Sequence, residues 1–194
     1  MIKCVIFDAD GTLIDSLGIW READEEYLRS VGRRLDENAY RKFTAMTYAQ
    51  SIAYVKQHYG LPMSEKEISD GIMKIVMDKY TNNVKPVPGV QTMLERLLEN
   101  GIPMAVATAN DRKLVCRALR ATGMRRYFSH IVTCDECGCG KENAGIFIHT
   151  AELMRCDPGE AMVVEDDRTY VRAAREAGFI AIHISEIGRL GFGS

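Results

Sequence analysis

Ile2-Lys3-Cys4-Val5-Ile6-Phe7-Asp8-Ala9-Asp10-Gly11-Thr12-Leu13 carries an apolar run into two carboxylates, two residues apart, on a Gly-Thr turn. Val5, Ile6 and Phe7 read as a strand buried on both faces, as the strands of parallel sheets are. Charge at the end of such a strand is costly unless it is paired or metal-bound. Two acids there therefore mark a site at the carboxyl edge of a sheet, where open α/β folds bind ligands.

Downstream of this turn the pattern is helical. Ser16 is placed to cap a helix, with Leu17, Trp20, Tyr27, Leu28 and Val31 at helical spacing and Gly32 to end it. Thr47-Tyr48-Ala49-Gln50 and Ser64-Glu65-Lys66-Glu67 read as capping boxes, each ahead of an apolar stripe. Residues 16–84 are expected to be an inserted helical unit. The stiff segment Lys85-Pro86-Val87-Pro88-Gly89 then joins it to the rest.

From there strand and helix alternate. Strands are expected at Met104–Ala107, Ile131–Thr133, Ala161–Val164 and Ile180–Ile184. Helices are expected after Gly89, after Asp111, near Ala144–Met154 and after Asp167. Alternating βα units imply an α/β fold: a doubly wound, mainly parallel five-stranded sheet with helices on both faces. Residues 1–15 and 85–194 form this core, and the Gly-rich tail from Gly188 is expected to be loose.

The bulk numbers exclude several classes. With 194 residues the chain suffices for one core domain and a small appended one. A formal charge of -2 gives no electrostatic footprint for nucleic acid or an anionic membrane. No apolar run approaches the roughly 20 residues of a membrane span, and the N-terminus does not read as a signal peptide. A cytoplasmic protein is expected. Six cysteines are present, and Cys134, Cys137 and Cys139 form a C-x-x-C-x-C cluster. No histidine pair follows to complete a zinc site, so reduced loop thiols are expected.

In a parallel sheet the loops after the strands gather at one edge. Asp8, Asp10, Glu165, Asp166 and Asp167 would converge there and repel one another. A hard divalent ion such as Mg²⁺ resolves this, because it takes one or two carboxylates plus waters and substrate phosphate. Thr108, Ala109 and Asn110 offer hydroxyl, amide and backbone donors, and Lys141 offers positive charge. Donors, lysine and metal around a carboxylate make a phosphoryl-transfer site.

These residues resemble the haloacid dehalogenase-like hydrolase superfamily. Asp8-Ala9-Asp10-Gly11-Thr12 matches its first motif, Thr108 the second, Lys141 the third and Glu165-Asp166 the fourth. The helices between the first two motifs resemble the small helical cap of the phosphatase and β-phosphoglucomutase-like branch, inserted in a Rossmann-like core. The resemblance implies that Asp8 attacks phosphorus to give an aspartyl-phosphate and that Asp10 is the acid and then the base. It implies Mg²⁺ held by Asp8, the Asp10 backbone carbonyl and Asp166, with Thr108 and Lys141 neutralising the phosphoryl oxygens and Glu165 supporting Lys141. An Asp at position 10 separates phosphate-ester members from dehalogenases, transport ATPases and phosphonate-cleaving members. Where the family often has Lys-Pro in its third motif, this chain has Lys141-Glu142.

The expected function is thus a Mg²⁺-dependent phosphatase acting on a small phosphorylated metabolite. The alternatives are a phosphomutase of the β-phosphoglucomutase type and a non-catalytic phosphometabolite-binding protein. Trp20 is expected mainly in the core of its helix stripe, with substrate selection as the second role for Trp20 and Met46. His58, His130, His149 and His183 are expected in core or surface roles.

Overall fold

In the computed structural model, which describes residues 2–190, the chain divides into two units. One comprises the residues up to Leu17 together with those from Val84 onward, and the other is Gly18–Asn83.

The first unit opens with β1 (Cys4–Phe7) and the two-residue β2 (Ile14–Asp15). The second unit contributes α1 (Ile19–Ser30), α2 (Glu37–Phe43), α3 (Tyr48–Tyr59) and α4 (Glu65–Asn82). The first unit then resumes with β3 (Lys85–Pro86), α5 (Val90–Glu99), β4 (Met104–Thr108) and α6 (Arg112–Ala121). It continues with β5 (Phe128–Thr133), α7 (Cys134–Cys137), α8 (Gly145–Leu153), β6 (Ala161–Glu165), α9 (Arg168–Glu176) and β7 (Ile180–His183).

The main sheet runs β5-β4-β1-β6-β7, parallel throughout. β1 is its central strand, with Val5 opposite Met104 on one side and Met162 on the other. All four of its residues are buried, as a strand covered on both faces requires. Cys4 and Ile6 face a layer built from Ile146, Phe147 and Ala151 of α8 and Val171 and Ala174 of α9. Val5 and Phe7 face the other way by the two-residue alternation of a strand, and the Phe7 ring meets Phe128 edge-on at 6.0 Å. A parallel sheet brings the carboxyl ends of β1, β4, β5 and β6 to one edge. The chain reverses direction of winding about β1, which puts the ligand crevice there.

β2 and β3 form a separate antiparallel pair, Ile14 opposite Pro86 and Asp15 opposite Lys85. It ties together the two chain segments that lead into and out of the helical unit. Two-residue strands have no periodicity to read, so the sequence signals only the Pro86-Val87-Pro88-Gly89 joint.

In the helical unit both expected capping boxes are formed, at Thr47 with Gln50 and at Ser64 with Glu67. Ile68, Ile72, Val76 and Tyr80 make the buried stripe of α4. Gly71 lets α1 approach: a Cβ there would meet the Tyr27 ring at 2.4 Å. Two expectations are corrected. Ser16 does not cap α1, whose N-cap is Gly18 without a side-chain bond. The buried face of α1 is Ile19, Ala23, Tyr27 and Leu28, so Leu17 is exposed and Trp20 is half-buried rather than in the core. α2, capped by Asp36, is not marked by any stripe in the sequence. At the other end, Ile184–Leu190 forms 3₁₀ turns rather than a loose tail, and residues 191–194 lie outside the described residues.

Candidate active site

Asp8 leaves the carboxyl end of the central strand with its side chain 5% exposed. Burying a carboxylate there demands a partner, and Lys141 supplies it. The Lys141 ammonium donates to Asp8 Oδ1 and, at 2.8 Å, to Glu165 Oε2. All three side chains are buried, and the ammonium also lies 5.5 Å from the Tyr170 ring centre. Glu165 Oε1 accepts from the Asp166 and Asp167 amides at 3.2 and 3.4 Å, so both its oxygens are engaged.

One lysine between two buried acids leaves excess negative charge. Burial pushes the Asp8 carboxyl up to about 6, with Lys141 opposing and Asp10 adding to the rise. Burial pushes Glu165 up to about 8, with Asp8 adding and Lys141 opposing. Burial also works against the Lys141 charge, but Asp8 and then Glu165 outweigh it and hold the ammonium protonated. Asp166 brings a further carboxylate: one oxygen from each of Asp8, Glu165 and Asp166 lies within 4.8 Å of the others. Among the described residues this is the group with metal-ligand geometry, and its donors are hard oxygens suited to Mg²⁺. Gly11 makes room for it. Its φ is +81°, and a Cβ there would stand 2.3 Å from Asp166 Oδ2.

Asp10 is turned elsewhere. Its Oδ1 accepts from the Ser16 hydroxyl at 2.5 Å and its Oδ2 from the Asn110 amide at 2.9 Å. The tight turn that aims it is closed by the Gly11 amide on the Ile14 carbonyl and by a bridge between Asp10 and Ile14. The Asp10 carboxylate is therefore outside the three-acid group. Thr108 ends β4 buried, and its hydroxyl accepts from the Asn110 backbone N–H at 3.1 Å. Ala109, between them, is exposed. Asp167 is the N-cap of α9, accepting from the Thr169 amide.

Three supporting residues escape a reading by motif. Ser16 looks like a helix cap but is buried and bonded to Asp10. His183, at the end of β7, places Nε2 2.7 Å from the Asp166 carbonyl oxygen and Nδ1 2.7 Å from the Ser185 hydroxyl. The apolar run ahead of it gives no hint of this in the sequence; only the register of Glu165 opposite His183 brings them together. Ala144 stands in left-handed backbone at φ 57° and starts α8, closing the Lys141 turn through its amide on the Lys141 carbonyl. This turn stands where the sequence lacks the Lys-Pro pair, and Lys141 still reaches both acids. Cys134, Cys137 and Cys139 are free thiols, and the latter two donate to nearby backbone carbonyls at 3.4–3.7 Å.

The model of the haloacid dehalogenase-like hydrolase family matches residues 5–184. The chain belongs to the haloacid dehalogenase-like hydrolase family. Among curated relatives, it is 28% identical to the bifunctional riboflavin kinase/FMN phosphatase of Arabidopsis thaliana over 95% of this chain. It spans only 49% of that protein's length. It is 25% identical to a phosphorylated carbohydrates phosphatase of Thermotoga maritima, covering 94% of this chain and 84% of the other. It is 28% identical to the fructose-1-phosphate phosphatase of Escherichia coli, covering 93% and 95%. A solved structure of a putative β-phosphoglucomutase from Thermotoga maritima shares the fold, with a TM-score of 0.86, 23% identity and 97% and 98% coverage. Asp8, Thr108 and Glu165-Asp166, expected from the resemblance as the first, second and fourth motifs, stand at the carboxyl ends of β1, β4 and β6, and Lys141, expected as the third, stands in the turn before α8. No helix among the described residues is long and apolar enough to cross a membrane.

Proposed function

We propose that this chain is a Mg²⁺-dependent phosphatase that hydrolyses a small phosphorylated metabolite through an aspartyl-phosphate on Asp8. The observation that carries the reading is the pairing of a lysine-bound, buried Asp8 with a separately held Asp10 two residues on. One carboxylate is kept ionised and aimed by an ammonium, which suits a nucleophile. The other is held by neutral donors on both oxygens, which suits a group that gives and takes a proton. The relatives named as phosphatases support the same class.

Both Glu165 oxygens are occupied, so Asp8 and Asp166 are the carboxylates left to hold the ion, with the Asp10 carbonyl. A bound Mg²⁺ supplies positive charge that offsets the acid cluster and the phosphate oxygens. Asp8 attacks phosphorus, and the leaving alkoxide takes a proton from Asp10. Asp10 then takes a proton from the water that cleaves the acyl phosphate. Lys141 and Thr108, with the Ala109 and Asn110 backbone, stabilise the oxygens of the transferring group. Glu165 acts through Lys141, and the helical unit with Trp20 and Met46 selects the leaving group. The compartment proposed is the cytoplasm.

The test is hydrolysis of p-nitrophenyl phosphate with Mg²⁺, after chelation, and in Asp8→Asn. Chelation is expected to remove activity and Mg²⁺ to restore it. Asp8→Asn is expected to lose about 10⁴-fold or more; equal turnover in the variant ends the proposal. Release of inorganic phosphate in step with the alcohol distinguishes hydrolysis from mutase transfer.

A further inference from the structure

The helical unit contains a cavity of about 370 Å³ of its own, in the size range of small-molecule sites. Trp20 and Asp24 of α1, Tyr40 and Phe43 of α2, Met46 and Tyr48 line it. Trp20 and Tyr48 meet edge-to-face at 6.1 Å, and Tyr40 and Phe43 at 5.2 Å. Four aromatic rings and a thioether thus surround a single carboxylate. Asp24 makes no hydrogen bond or ion pair among the described residues, and burial alone pushes its carboxyl up to about 7. The nearest cation on its own helix, Arg21, is committed to Glu25 and Glu37 and stacks on Tyr40 at 4.9 Å. Among the described residues, neither lysine nor arginine lines the cavity.

A half-buried carboxylate without a partner is a standing cost, and it is removed by whatever brings a positive charge. Aromatic faces around that charge add to the attraction. An anionic group would meet Asp24, ring faces and neutral hydroxyls, of which those of Thr44 and Ser51 already donate to the Tyr40 and Tyr48 carbonyls. A neutral polyol offers hydroxyl donors to the carboxylate but leaves its charge uncompensated.

We infer that the cavity of the helical unit binds an organic ammonium group against Asp24, between the rings of Trp20 and Tyr48. This goes beyond the proposed function and concerns the helical unit alone: the ligand of its cavity carries a positive charge. A phosphate or a carboxylate on that ligand is disfavoured.

Trp20 is the single tryptophan of the chain, so its fluorescence reports entry into the cavity. The probes are choline, its neutral isostere 3,3-dimethylbutan-1-ol, sorbitol and glycolate, each titrated at pH 8. Choline is expected to give a saturable change at a concentration about tenfold below that of the isostere. In Asp24→Asn, checked for folding by its melting temperature, that preference is expected to collapse toward one. The comparison of probes on the natural chain needs no variant. Equal or tighter binding of the isostere overturns the inference. So does saturation by sorbitol or glycolate below choline, or the absence of saturable change with choline. The readout needs no turnover and is expected to be the same in Asp8→Asn. Failure of phosphatase activity on p-nitrophenyl phosphate and failure of ammonium binding are therefore separate results.

Discussion

Asp8 and Asp24 are the same residue type under opposite treatment. Both carboxyls are pushed upward by burial, to about 6 and about 7. Asp8 stands at the end of the central strand and is bound to Lys141, with Glu165 and Asp166 beside it. Asp24 stands on a helix and meets aromatic rings but no cation among the described residues. The difference comes from the backbone beneath each. A parallel sheet gathers the loops of distant segments at one edge, so an acid there acquires partners more than a hundred residues away in sequence. A helix offers an acid its own turns and whatever the neighbouring helices present. The core assembles its counter-charge internally, whereas the helical unit leaves its counter-charge to a ligand.

The contrast breaks most visibly at Lys141. Lys141→Met strips the cation from two buried acids, and breaking a buried pair costs about 3–5 kcal/mol. A melting temperature lower by roughly 10 °C at pH 7 is expected, together with loss of phosphatase turnover. An unchanged melting temperature would show that the core acids need no internal counter-charge.

A smaller effect is expected at Gly11. Gly11→Ala forces a side chain into left-handed backbone and against Asp166. About 2 kcal/mol of stability is at stake, and half-saturation by Mg²⁺ is expected to rise about tenfold. Unaltered Mg²⁺ dependence would detach Asp166 from the metal.

Asp24 gives the smallest effect, with the opposite sign. Its folded carboxyl is raised above the ordinary value of 3.8, so its favourable contribution is present below about pH 4 and lost as pH rises through about 7. Asp24→Asn escapes that loss. The variant is expected to be more stable than the natural chain by about 1–2 kcal/mol at pH 8, after allowing for partial solvent screening. The gain should shrink toward zero at pH 4. Thermal melts of both proteins across this range check it, and a variant less stable at pH 8 would mean Asp24 already has a partner.

The sheet and the acid cluster were legible in the sequence because each rests on a local signal. Apolar runs mark the strands, and the polar residues just after Phe7, Ala107 and Val164 mark the edge at which they converge. Capping boxes at Thr47 and Ser64 are equally local and both form. What escaped reading depends on contacts between segments. Ser16 is a good helix cap by type, yet it bonds to Asp10 because the turn at Gly11 folds it back. Trp20 fits an apolar stripe by spacing, but α1 begins at Ile19 and buries the face of Ile19, Ala23 and Tyr27 instead. His183 meets the Asp166 carbonyl only through the pairing of β6 with β7. α2 is seven residues long, too short to show a stripe.

The central claim is that Asp8 is the nucleophile, and covalent trapping tests it most directly. The protein is mixed with p-nitrophenyl phosphate and Mg²⁺, quenched in acid within the turnover time, digested and examined by mass spectrometry. The account predicts a phosphoryl group on the peptide that carries Asp8, absent in Asp8→Asn and absent without Mg²⁺. Turnover with that peptide unmodified, or a phosphoryl group on another residue, would contradict it.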